Sequence, residues 1–253
     1  MKKYIFLLPL LFSLTLLPSC SEPEGTIIEG TIPYFKTKTV AKSVSVADNG
    51  KFSVDVYRIN PVGSAEVTVN LSLPEGMSAN MFELVSHKVT FKDGEYKTSA
   101  DIKFDLSKLV VPVVYNLKLA IEESPLYGFV EPLTISVDKE WVFDKDLGKG
   151  KFTSKFFKFQ NKEVDIQGID GSDGVYSIKD AYAKGYPINF AIINGGKGII
   201  FKKQAVGLEH STYGAYTVDL DNFVIDAKTI TLSLKFTVAA GSFGTYVETI
   251  ELP

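Results

Sequence analysis

The chain has 253 residues, with 27 basic and 30 acidic side chains, and 45% of it is apolar. This composition excludes a disordered chain, and a net charge of −3 excludes nucleic-acid binding driven by charge alone. The length fits one large domain or two of ordinary size, either of which can bury a core without disulfides or metal.

The first residues, Met1-Lys2-Lys3, precede an apolar run from Tyr4 to Leu17. A short basic start and an apolar run of this kind form a secretory signal. The run falls short of the roughly 20 residues that span a bilayer, and Pro9 interrupts it. Residues 1–19 are read as the signal peptide. Leu17-Pro18-Ser19-Cys20 resembles the lipobox of bacterial lipoproteins, which implies lipidation of Cys20 and attachment to a membrane through the N-terminal lipid. Cys20 is the single cysteine, so the exported fold has no disulfide and rests on its core. Removing residues 1–19 takes away two of the 27 basic groups and none of the 30 acids, which moves the net charge from −3 to −5. Ser21-Glu22-Pro23-Glu24-Gly25 reads as an extended, solvated tether, so residues 20–25 form the link to the body. Acidic residues just past the lipid site resemble the surface-export signal of Bacteroidetes lipoproteins. That resemblance implies the outer membrane, with the body facing the cell exterior.

From Thr26 the hydrophobic period is two. Glu66 to Leu73 alternates strictly, as do Asp101 to Leu106, Tyr115 to Ile121 and Leu133 to Val137. Each reads as a strand with one face on a core. Asn49-Gly50 and Asp93-Gly94 sit between apolar runs and predict hairpin turns, because both central residues must reach positive φ. About eight strands fit between Ile27 and Val137, so residues 26–138 are read as an immunoglobulin-like β-sandwich.

Residues 139–150, rich in charge and glycine around Trp141-Val142-Phe143, read as a junction. Trp141, the single tryptophan, is expected to plug the seam between two domains. Residues 151–253 are again β, read as a second antiparallel sandwich or a short barrel. The predicted strands are Lys151–Phe159, Glu163–Ile166, Gly174–Ile178, Ile188–Ile193, Gly198–Lys203, Ala215–Leu220, Thr229–Ala239 and Thr245–Leu252. A short helical turn is expected over Ile178–Lys184. The fold class is therefore all-β.

Few residues carry recognisable chemistry. There are two histidines, His87 and His210, and one arginine, Arg58, predicted inside a strand. Motifs for zinc proteases, serine hydrolases and phosphate-binding loops do not occur. His210-Ser211 is an adjacent pair that reads as a loop. Asp170-Gly171-Ser172-Asp173-Gly174 lacks the alternating acids and bidentate closer of a calcium loop, and reads as a hairpin. Glu122, Glu123, Glu248 and Glu251 are placed on solvated faces. No catalytic residue, metal site or cofactor is assigned. Phe190 and Phe201 alternate with polar neighbours and belong to a core. Tyr182, Tyr186 and Tyr213 fall near Gly- or Pro-containing turns, where an exposed ring can stack on a sugar face. These three are the candidate glycan-stacking residues.

Val89-Thr90-Phe91-Lys92-Asp93-Gly94-Glu95, with Ile102, Phe104 and the strand Tyr115 to Ile121, resembles Calx-beta-like, immunoglobulin-type modules. Such modules often form the first domain of Bacteroidetes surface lipoproteins. The acidic calcium loops of true Calx-beta domains are not present, so calcium is not implied. Gly148-Lys149-Gly150-Lys151-Phe152 and Gly174 to Tyr182 are similar to the C-terminal domains of the same lipoproteins. Some relatives in architecture are accessory glycan-binding proteins. The resemblance implies a non-catalytic, lipid-anchored binding module for a polysaccharide or a surface protein. A fimbrial or adhesion subunit and a glycan hydrolase are the alternatives.

Overall fold

The computed structural model describes residues 30–253. Cys20 and the tether lie outside the described residues. The N-terminal half holds nine strands: β1 (Pro33–Tyr34), β2 (Thr39–Val44), β3 (Lys51–Arg58), β4 (Ala65–Ser72), β5 (Phe82–Leu84), β6 (Lys88–Phe91), β7 (Lys97–Phe104), β8 (Val114–Ile121) and β9 (Leu133–Lys139). They form a four-stranded sheet, β1-β3-β7-β5, and a five-stranded sheet, β2-β9-β8-β4-β6. The first strand of the larger sheet, β2, runs parallel to β9, and the remaining pairs are antiparallel.

The period-two pattern explains the packing. In β3, Phe52, Val54 and Val56 point inward, and in β8 Tyr115, Leu117, Leu119 and Ile121 do the same. These faces meet in one core that also takes Val67, Val69, Phe91, Ile102 and Ile135. Burying each such side chain contributes roughly 1.5–3 kcal/mol, enough to replace the missing disulfides. One charged group joins this core. Arg58, at the end of β3, is 1% exposed. Its guanidinium donates to the carbonyls of Glu95, Gly63, Pro61 and Lys92 at 2.6–2.9 Å and lies over the Phe91 ring.

Two expected hairpins differ from the observed topology. Asn49 (φ 53°) and Gly50 (φ 69°) do take the left-handed conformation. However, β2 pairs with β9 and β3 pairs with β1 and β7, so the turn is a corner between sheets. Asp93-Gly94 likewise carries the chain from β6, which pairs with β4, across to β7.

The C-terminal half holds β10 (Lys145–Ser154), β11 (Phe159–Ile169), β12 (Ser172–Ala183), β13 (Tyr186–Ile193), β14 (Gly198–Phe201), β15 (Gln204–His210), β16 (Gly214–Asp226), β17 (Thr229–Val238) and β18 (Gly241–Glu251). The sheet order is β14-β13-β12-β11-β10-β18-β17-β16-β15, antiparallel throughout. The first and last strands pair, so the meander curls into an up-and-down barrel with one gap, between β14 and β15. Beside the gap the Gln204 side chain ties β15 to β13: its Oε1 accepts from the Asn189 amide at 2.9 Å and its Nε2 donates to the Asn189 carbonyl at 2.7 Å. This side-chain amide does the work of a strand backbone. Nearby, Gly207 (φ 72°) lets the Tyr186 ring lie flat on β15, where an added Cβ would stand 2.1 Å from the ring.

The barrel interior is aromatic, built on Phe152, Phe190 and Phe236. Phe156 and Phe157, in the β10–β11 turn, plug one end, and Phe156 stacks on Phe236 at 4.1 Å. The expected helical turn over Ile178–Lys184 does not form. The backbone there remains strand, with a bulge between Ile178 and Ala183 and Asp180 at φ 51°. Outward-facing Val175 and Ala191 pack with Val111 of the sandwich half, and Trp141 and Phe143 fill in around them.

Candidate functional site

Four hairpin turns gather at the barrel end far from the junction: those following β10, β12, β15 and β17. The chain enters at Lys145, at the opposite end of β10. The far mouth carries a chain of rings. Tyr213 stacks on His210 at 4.7 Å, His210 contacts Phe243 at 5.3 Å, and Phe243 leads to Tyr216 and then Phe156. Tyr213 is 48% exposed. Beside it, Tyr213, Val238, Gly241, Ser242 and Phe243 line a hollow of about 260 Å³. His210 Nδ1 accepts the Thr212 amide at 3.1 Å, which fixes the ring under Tyr213.

The three predicted stacking tyrosines are separated. Tyr213 sits at the mouth. Tyr186 is 43% exposed but gives one face to Gly207. Tyr182 corrects the expectation of an exposed ring. It is 5% exposed, with its ring edge-on to Phe152, Phe157 and Phe236 inside the barrel. Tyr182 lies four residues beyond the inward-facing Ile178 on the same strand, so it keeps the inward side, and the helical turn expected to expose it does not form.

Glu248 also departs from expectation. It was placed on a solvated face, and it is fully buried. It lies on β18 opposite Ser154 of β10 and Leu232 of β17. Neither of its carboxyl oxygens makes a well-formed hydrogen bond, and the Tyr182 hydroxyl beside it is also buried and unbonded. Burial pushes the Glu248 carboxyl up to about 7; the nearby Ser154 hydroxyl, Phe156 amide and Tyr182 hydroxyl pull it back only in part. The Tyr182 phenol is raised well above its ordinary range, first by burial and then by Glu248. The sequence held the signal for this acid. Tyr246, Glu248 and Ile250 are two residues apart on one strand and so share a face, and that face is the interior.

The remaining candidates are structural. His87 Nδ1 lies 3.2 Å from the Val69 carbonyl at a sheet edge. Asp170-Gly171 forms the tight turn between β11 and β12, with Gly171 at φ 71°. Among the described residues, no group of three or more His, Cys, Asp or Glu side chains is placed to hold a metal ion.

The fold defines a class: an all-β protein of an immunoglobulin-like sandwich followed by an antiparallel barrel. No protein-family model and no curated protein matches the chain. Among solved structures it is similar to an auxiliary nutrient-binding protein from Bacteroides thetaiotaomicron, at 11% identity over 85% of this chain and 89% of the other, with a TM-score of 0.36. A protein of unknown function from Bacteroides ovatus matches at 10% identity over 88% and 94%, with a TM-score of 0.32. CBD12 from CALX1.2 matches at 12% identity over 87% and 74%, with a TM-score of 0.36. Superpositions this loose leave the functional argument to the residues themselves.

Proposed function

We propose that the chain is a lipid-anchored, non-catalytic binding protein of the outer surface, whose ligand sits at the far mouth of the barrel. The observation that carries this reading is the exposed Tyr213 ring, held rigid by stacking on His210, beside the Phe243-lined hollow. A flat ring with a free hydroxyl can stack on a sugar face and hydrogen-bond at its edge, so a glycan is the favoured ligand. Lipidation at Cys20 would hold the N-terminus at the membrane. The mouth, at the barrel end opposite the chain entry, would then face outward.

Affinity-gel retardation of the mature chain against host and plant polysaccharides tests the binding reading. Retardation that Tyr213→Ala and Phe243→Ala each weaken by about tenfold in affinity supports a glycan site at the mouth. Retardation unchanged by both moves the site elsewhere, and no retardation on any gel removes the glycan ligand. Mass spectrometry of the native N-terminus tests the anchor. An acylated Cys20 supports it, and a terminus cut at a basic residue further along would replace it with a processed fimbrial subunit.

A further inference from the structure

Another hollow, with polar side chains at its rim, lies at the seam between sandwich and barrel. It encloses about 320 Å³ and is lined by Ser43 of β2, Glu140 and Trp141 of the junction, Asn189 of β13, and Lys202 and Lys203 of the β14–β15 loop. That volume holds one or two sugar rings, at the lower end of ordinary ligand sites.

The lining is built rather than incidental. Trp141 is fixed at its edge by Phe143, at 6.2 Å, and anchored in the apolar seam with Val111, Val175 and Ala191. The Lys202 ammonium is paired with Asp138 and stands 5.8 Å from the centre of the Trp141 ring, which leaves it little charge to offer a ligand. Asn189 has its backbone tied at both ends to Gln204. Its side-chain Oδ1 is buried and has no partner among the described residues. A buried acceptor left unmade costs about 1–3 kcal/mol, so a ligand donor toward which the Asn189 amide turns would recover that loss. Glu140 and Lys203 are exposed at the rim, and no ion pair joins either of them to another described residue.

The chemistry is therefore an aromatic wall, an unpartnered amide oxygen, and one free carboxylate opposite one free ammonium. The local charges cancel: Asp138 and Glu140 against Lys202 and Lys203. A ligand with a net charge would meet repulsion from one rim residue for each attraction to the other. A neutral polyhydroxylated ring meets neither. Its hydroxyls donate to Asn189 and Glu140 and accept from Lys203, while its C–H face covers Trp141. We propose that the seam is a second binding site, for one neutral sugar ring of a glycan. The proposal stands whether or not the barrel mouth binds anything.

Trp141 is the single tryptophan of the chain, so its fluorescence reports on this hollow alone. The experiment is a fluorescence titration of the mature, acylated chain in detergent. The probes are maltoheptaose, cellohexaose, xylohexaose and mannohexaose, each to roughly 10 mM, enough to saturate a millimolar site. Trigalacturonate serves as the charged comparison. The expected result is a saturable change with at least one neutral probe. Asn189→Ala and Lys203→Met should each weaken it about fivefold to tenfold, with unchanged melting temperatures. Tyr213→Ala should leave the titration as it was, which separates this site from the mouth. Failure of all four neutral probes to change the emission overturns the proposal. So does a saturable change that survives both seam variants, or tighter binding of trigalacturonate than of every neutral probe.

Discussion

The two halves of the molecule each bury one charged side chain, and they treat it in opposite ways. In the sandwich, Arg58 meets four carbonyl oxygens and an aromatic face, so its burial is fully compensated. It ties the end of β3 to the segments at 61–63 and 92–95. In the barrel, Glu248 meets aromatic rings and an unbonded tyrosine hydroxyl. A guanidinium stays charged at any working pH, so it must be satisfied by hydrogen bonds. A carboxyl has a second way out: it takes up a proton and becomes neutral. The sandwich therefore has a pH-independent tie, and the barrel has a titratable one.

The largest effect should come from breaking the compensated charge. Arg58→Met removes the guanidinium from four carbonyls, of which Pro61 and Lys92 keep a backbone N–H, and about 4 kcal/mol of sandwich stability should go with it. Denaturant unfolding should show an early transition for the sandwich while near-UV signals from the aromatic barrel persist. Equal loss from both halves would mean that they unfold as one unit.

Next comes the titratable side. The Glu248 carboxyl is pushed up to about 7 in the fold from an ordinary 4.5. Between those values the folded state keeps a proton that the unfolded chain has released. Stability should therefore fall as pH rises through that window, by about 3 kcal/mol in all, and level off on either side. Glu248→Gln keeps the shape and cannot ionise, so its melting temperature should lose this slope and exceed that of the parent at pH 8. Parallel melting-temperature curves for the two proteins would remove Glu248 as the source.

A smaller effect is expected at the barrel gap. Gly207→Ala places a Cβ against the Tyr186 ring and strains a left-handed backbone, for about 2 kcal/mol. Adding Tyr186→Ala relieves the contact and leaves the backbone strain of about 1 kcal/mol, so the double variant should melt above the single one. The smallest change is Tyr213→Ala, which should alter stability by less than about 0.5 kcal/mol because the ring is half exposed. A larger loss would make Tyr213 a packing residue and weaken its assignment to ligand.

Period-two alternation made the strands and most of the core readable in advance, because one buried face imposes it on every strand. It also contained Glu248, whose neighbours Tyr246 and Ile250 mark the interior face. The helical turn expected over Ile178–Lys184 hid Tyr182; continued as strand, the alternation through Tyr176 and Ile178 places it inside. The left-handed turns at Asn49-Gly50 and Asp93-Gly94 were legible as turns. Which strands they joined was not, because pairing is decided by partners far along the chain. β15 was missed for a related reason: Gly207 interrupts its alternation in order to admit Tyr186. The closure of β10 on β18 joins residues about a hundred positions apart, and only the folded barrel reveals it. Among the site residues, Tyr213 was found by its turn context, His210 shares that turn, and Phe243 joined them only through the neighbouring β17–β18 hairpin.

The gap between β14 and β15 bears on life in a crowd. Anchored as proposed, copies of the chain would be concentrated in two dimensions, where any open strand edge invites a neighbour to add to it. This barrel has two such edges, but one belongs to a four-residue strand and the other is kinked by Gly207. The Gln204 side chain ties β15 to Asn189 of β13 across the space between the sheet ends. Packed side by side, the copies would find at this gap no long, flat edge on which their barrels could merge.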